Sequence, residues 1–146
     1  MSEQITLAFK PTARRKARRL ATQALYQQQL AGTEVQQLAL DFADQCQVKA
    51  ADEVYFKRLI EGVLSAQSQL DQQLIPYLDR PIEQLDPVEK AILRLGAFEL
   101  KHCLDVPLRV VINESIELAK VFGATDSYKY INGVLDKLAL QIRQTD

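Results

Sequence analysis

Asp86-Pro87-Val88-Glu89-Lys90-Ala91-Ile92-Leu93-Arg94-Leu95-Gly96-Ala97-Phe98-Glu99-Leu100 is the stretch whose reading decides the fold. An aspartate such as Asp86 accepts hydrogen bonds from the open amides of a helix's first turn. Pro87 brings a φ already suited to the first helical position, and Glu89 sets an acid at the third. Behind that opening, Ile92, Leu93, Leu95, Gly96, Phe98 and Leu100 spread around most of the circumference. A surface helix needs one apolar stripe, whereas a helix apolar on most sides must be covered on most sides. The stretch predicts a central helix with other helices packed around it.

Upstream, Pro11 opens a long helix with Thr12 as its expected cap, and Ala17, Leu20, Ala21, Ala24, Leu25 and Gln28 share one face. Gly32 ends it, and Thr33 is placed to cap the next. Val35, Leu38, Leu40, Phe42 and Ala43 mark a short acidic helix ending near Cys46. From Asp52, the positions Val54, Tyr55, Leu59, Val63, Leu64 and Ala66 define a third helix, with Gly62 as an internal weak point. Leu70, Leu74, Ile75 and Leu78 continue the pattern to Pro81, and Gly62 with the polar run 65–69 predicts a break into two helices.

Downstream, Pro107 begins a helix through Val110, Val111, Ser115, Ile116, Leu118 and Ala119, closed by Gly123. Its first residues are β-branched enough to suggest a strand, but Asn113, Glu114, Glu117 and Lys120 fall between the apolar positions at helical spacing. Thr125, Asp126 or Ser127 caps the last helix, and the spacing favours Asp126. Its core positions are Ile131, Val134, Leu135 and Leu138. The fold class is all-α, with six to eight helices.

A chain of 146 residues, 47% of them hydrophobic, supports one core and not two ordinary domains. The expected organisation is a flexible extension over 1–10, one helical domain over 11–143 and a tail over 144–146. Charge interrupts every apolar run, so no membrane span is expected, and Glu3 with no apolar core before the basic block argues against a secretory signal. Cys46 and Cys103, far apart and without CxxC spacing, fit two buried thiols in a reducing, cytoplasmic compartment. His102 is the one histidine and fits a helix end better than a metal site. With no phosphate-cradling loop, nucleophile elbow or cofactor fingerprint, neither an enzyme nor a cofactor is expected.

Charge is unevenly placed. Lys10, Arg14, Arg15, Lys16, Arg18 and Arg19 put six cations into ten residues, leaving 12 basic side chains against 19 acidic ones elsewhere. An acidic body with one concentrated basic surface is suited to a polyanion, and RNA or DNA leads. The competing reading is a solvated helix face. Arg15, Lys16 and Arg19 point away from the apolar face, while Arg14 and Arg18 flank it, their stems covering the core edge with guanidinium groups in solvent. Phosphate contact alone carries no sequence preference. Stacking groups are needed beside it, and Tyr77, Tyr128 and Tyr130 are the candidates.

Several stretches carry a resemblance: Arg14-Arg15-Lys16-Ala17-Arg18, Gln23-Ala24-Leu25-Tyr26, Val88-Glu89-Lys90-Ala91-Ile92-Leu93-Arg94 and Val111-Ile112-Asn113-Glu114-Ser115-Ile116-Glu117-Leu118-Ala119-Lys120. The most specific is Phe122-Gly123-Ala124-Thr125-Asp126-Ser127-Tyr128-Lys129-Tyr130-Ile131-Asn132-Gly133-Val134-Leu135-Asp136-Lys137. In this order, from Pro11 to about Arg143, they resemble the NusB family of bacterial transcription antitermination proteins.

The resemblance implies about seven helices in two packed bundles, no catalysis, and pairing with ribosomal protein S10 (NusE). It also implies recognition of single-stranded boxA RNA within the RNA polymerase antitermination complex, supporting ribosomal RNA transcription. Carried over, it places Arg14, Arg15, Arg18, Tyr77, Arg94, Asp126, Lys129 and Tyr130 at the RNA surface, with Glu83 and Glu89 beside it. The NusE-contacting surface is sought first between residues 70 and 120, and the free protein's state stays open between monomer and homodimer. Two positions depart from the family pattern: Lys16 stands where arginine is frequent and Tyr130 where phenylalanine is common. The fold also resembles the N-terminal RNA-binding domain of ribosomal RNA cytosine methyltransferases, but with no cofactor-binding domain expected, a separate adaptor is the preferred reading. A protein-docking helical scaffold is the third reading.

Overall fold

The computed structural model describes residues 11–143. The expected extension over 1–10 and tail over 144–146 lie outside them. Among the described residues there are seven α-helices and no strand: α1 (Pro11–Ala31), α2 (Val35–Val48), α3 (Glu53–Ser65), α4 (Gln67–Leu74), α5 (Pro87–His102), α6 (Leu108–Phe122) and α7 (Ser127–Ile142). Short 3-10 turns at Ile75–Tyr77 and Ile82–Gln84 lie between α4 and α5. The chain divides into two compact units between Glu61 and Gly62, a boundary that falls within α3.

In the first unit, α1 packs on α2. Ala17, Leu20, Ala21, Ala24 and Leu25 of α1 are buried, as the spacing predicts. Gly32 ends the helix with a φ of +68° and donates its amide to the Gln28 carbonyl, a left-handed turn that costs glycine little. Two caps fall elsewhere than expected. Thr12 lies inside α1, and Glu34, not Thr33, precedes α2. From α2, Leu38, Phe42 and Cys46 point inward at four-residue spacing, so Leu40, counted among the apolar markers, is exposed. Asp52 caps α3 by accepting the Tyr55 amide at 2.9 Å. Burial pushes the Cys46 thiol up to about 11.

In the second unit, α5 packs against α4, α6 and α7. Every residue from Ala91 to Leu100 is buried, which is the central helix the sequence predicts. Asp86 accepts the Val88 amide at 2.7 Å, and Pro87 takes the first position. The break after α3 falls at Ala66, whereas Gly62 stays within the helix. The Val106–Ile112 stretch turns into α6 rather than a strand.

Arg143 closes the unit. Its side chain, 6% exposed, donates to the carbonyls of Glu99, Leu100 and Cys103 at the end of α5 and to that of Val106 beyond. A guanidinium there satisfies carbonyls that a helix end leaves open and complements the negative pole of the dipole. His102 sits at the same helix end, exposed, its ring 5.1 Å from that of Phe98. Both cysteines are buried, as expected.

Candidate nucleic-acid interface

The first unit carries the basic block. Arg14 and Arg18, four residues apart on α1, both turn toward Tyr55 of α3, with guanidinium carbons 4.2 and 5.5 Å from the ring centroid. Asp52 anchors this arrangement. Its amide donates to the Ala13 carbonyl at 3.0 Å, and its carboxylate lies 4.0 Å from Arg14 Nε. Arg18 is only 3% exposed, so its guanidinium does not reach open solvent as the flank position suggested. The planar cation is spent on the tyrosine face and the core edge. Arg15 and Arg19 are exposed and Arg14 and Lys16 half-buried, leaving a cationic edge able to make charge-assisted bonds to phosphate oxygens.

The second unit carries the aromatic candidates. Tyr130, in the first turn of α7, is half-buried, and its hydroxyl oxygen accepts the Asp79 amide at 3.2 Å. Arg80 lies over the Tyr130 ring, 5.2 Å from the centroid, and is held there by a two-point pairing with Asp79 at 2.7 and 3.0 Å. That guanidinium keeps the Asp79 carboxyl below the ordinary carboxylate range, while burial pushes the Tyr130 phenol upward. Lys129 is exposed, its Nζ 3.6 Å from Asp126. Asp126 holds the position before α7 but makes no side-chain capping bond. Ser127 is turned instead to Glu89, donating its hydroxyl to the carboxylate at 2.6 Å. Glu89 thus ties the start of α7 to the first turn of α5.

The remaining candidates divide. Glu83 is exposed in the second 3-10 turn, and Tyr77 is half-buried in the first. Arg94 is 8% exposed and forks onto Asp71 of α4 through bonds of 2.8 and 3.0 Å, a packing role within the unit. Sequence reasoning missed Tyr55, Asp52, Asp79 and Arg80. An acid and an arginine side by side at 79–80 were a local signal, but their aromatic target lies 51 residues away for Asp79. Among the described residues no group of three or more histidine, cysteine or carboxylate side chains could hold a metal ion, and no helix is long and apolar enough to cross a membrane. Taken separately, the first unit offers a cationic edge whose chemistry suits phosphate oxygens, and the second a half-buried ring with a polar tip whose chemistry suits stacking.

Comparison with known proteins identifies the family and the fold. The NusB family pattern matches residues 15–140. The transcription antitermination protein NusB of Alcanivorax borkumensis is 61% identical over 136 residues, covering 93% of this chain and 91% of the relative. The fold is similar to that of T. maritima NusB, with a TM-score of 0.79 at 30% identity over 89% of this chain and 92% of that one. It is also similar to a chain in a crystal structure of antitermination factors NusB and NusE in complex with dsRNA. There the TM-score is 0.78 at 25% identity, over 90% and 99% of the two chains.

Proposed function

Because the chain belongs to the NusB family, we propose that it is a non-catalytic cytoplasmic factor that binds boxA RNA together with ribosomal protein S10 (NusE). In that role it joins the RNA polymerase antitermination complex and supports ribosomal RNA transcription. The observation that carries this reading is the basic first helix, whose exposed Arg15 and Arg19 stand on a frame fixed by Arg14, Arg18 and Tyr55. A cationic edge of fixed shape engages phosphates at a smaller ordering cost than mobile surface lysines do.

Within this reading the expected residues take different parts. Arg14, Arg15 and Lys129 meet phosphates, and Tyr130 packs on a base or sugar. Tyr77 and Glu83 stand at the edge of the RNA path. Arg18 and Arg94 act as positioning residues, one behind Tyr55 and one on Asp71. Glu89 positions the start of α7 through Ser127. A small domain with one short basic surface binds single-stranded RNA modestly alone and more tightly when a second protein adds contacts to the same strand. Titrating labelled boxA RNA with the protein alone and with NusE tests this. Tighter binding in the second titration is the expected result, and equal affinities would overturn the adaptor reading.

A further inference from the structure

The start of α7 carries an aromatic on each of two flanks. Residues two apart on a helix point roughly 200° apart, so Tyr128 cannot share the face of Tyr130. Each ring has its own cation. Arg80 covers Tyr130, and Lys120, from the last turn of α6, lies with its Nζ 5.0 Å from the Tyr128 centroid. Lys129, between the two tyrosines, reaches the Tyr128 ring from 6.0 Å. Tyr128 is half-buried, and Lys120 and Lys129 are exposed.

From this geometry we infer a second RNA subsite, formed by Tyr128, Lys120 and Lys129, for nucleotides that continue the strand past the segment held at Tyr130. The inference rests on the RNA-binding reading above. Acids stand on the same turns, Glu117 in α6 and Asp126 before α7, but Lys129 is already matched to Asp126 at 3.6 Å. Lys120 forms no ion pair among the described residues, so its charge is set against the ring and remains available to an anion. The 16-residue α7 begins here without a side-chain cap from Asp126, and the partial positive charge of its first amides adds to the two ammonium groups. A phosphodiester crossing this turn meets Lys129 and then Lys120, and the nucleoside after it meets the Tyr128 ring.

The test uses three single-stranded RNAs: the boxA core, the core extended on its 5′ side and the core extended on its 3′ side. Each is titrated across a salt series with the wild-type protein and with Lys120→Ala, Lys120→Glu and Tyr128→Ala, NusE being added in a parallel set. One extended RNA should bind the wild type more tightly than the core, with a salt slope steeper by about 0.7 for each added phosphate contact. Both Lys120 variants should lose that increment and keep core affinity. Tyr128→Ala should lose about tenfold on the extended RNA alone. Should the tyrosine variant unfold, the exposed Lys120 variants still decide the matter. If extension adds nothing in the wild type, or the increment survives both Lys120 changes, the subsite is refuted while core binding leaves the function standing. If NusE pairing weakens and the RNA increment does not, the surface around Tyr128 and Lys120 is a protein-docking face and the subsite is again refuted. Absence of core binding with and without NusE would instead overturn the RNA-binding reading itself, and the subsite with it.

Discussion

The ring of Phe98 fills the space that a side chain on Gly62 would need: a Cβ there would collide with Phe98 Cζ and Cε1. Gly62 is therefore the point at which α3 lets the central helix approach, and α3 continues through it to Ser65. The glycine's low helix propensity is outweighed by the burial of a phenylalanine that is 6% exposed.

Gly62→Ala should accordingly destabilise the protein by about 1–3 kcal/mol through overpacking, even though alanine favours a helix interior by about 1 kcal/mol. Urea unfolding of the variant, beside Gly62→Ala combined with Phe98→Leu, separates the two effects. The second change should recover part of the loss. A single variant as stable as the wild type would mean that the ring moves aside freely.

Arg94 and Asp71 form the second relationship to probe. Their side chains are 10% and 18% exposed and joined at two points. Removing either partner leaves the other poorly solvated and should cost about 3 kcal/mol, the low end for a buried pair because some water access remains. Replacing both by apolar residues should cost less than either single change. RNA affinity of folded Arg94→Ala, measured well below its melting temperature, should stay near that of the wild type. A large loss of affinity without loss of stability would return Arg94 to the RNA surface.

Asp126 distinguishes a cap from a charge. Its carboxylate makes no capping bond, its side chain is 76% exposed, and its pairing with Lys129 is a surface contact of small worth. Asp126→Asn should fold normally and bind RNA as well as or better than the wild type, because a repulsive charge beside the phosphates is gone and Lys129 is released. Weaker RNA binding by the folded variant would reject the charge-repulsion account.

What the sequence made legible follows period and punctuation. Asp86-Pro87 announces α5, the apolar positions around it give its burial, and Gly32 marks the end of α1 at a positive φ. These are local signals, since each depends on residues within one or two turns. Caps were less legible because several residues near a helix start can serve: Ser127, a good cap by type, donates to Glu89 of another helix instead. Long side chains were least legible. Periodicity puts Arg18 at the edge of a face, but tertiary packing turns its guanidinium onto Tyr55, 37 positions on, and turns Arg94 onto Asp71. A pattern of apolar positions fixes where a Cβ points and not where five further bonds carry an arginine's charge.

The contrast between Arg15 and Tyr130 tests how recognition is shared between charge and stacking. Arg15 is exposed on α1, so Arg15→Ala should weaken boxA RNA and a scrambled strand alike and reduce the salt slope by about 0.7. Tyr130→Ala should cost roughly 1–3 kcal/mol, mainly on boxA, with little change in slope. It would also release Arg80, which now rests on the ring, so Tyr130→Phe is needed beside it. The phenylalanine keeps the ring and the Arg80 contact while losing the hydroxyl that accepts the Asp79 amide and bonds to the Asp79 side chain. Retained boxA affinity in Tyr130→Phe and lost affinity in Tyr130→Ala would assign the contribution to the ring. Equal losses in both would assign it to the hydroxyl and the 79–80 turn that it holds. If Arg15→Ala, Tyr130→Ala and Tyr130→Phe all bind both RNAs as the wild type does, the basic helix is a solvated face and recognition lies elsewhere on the protein.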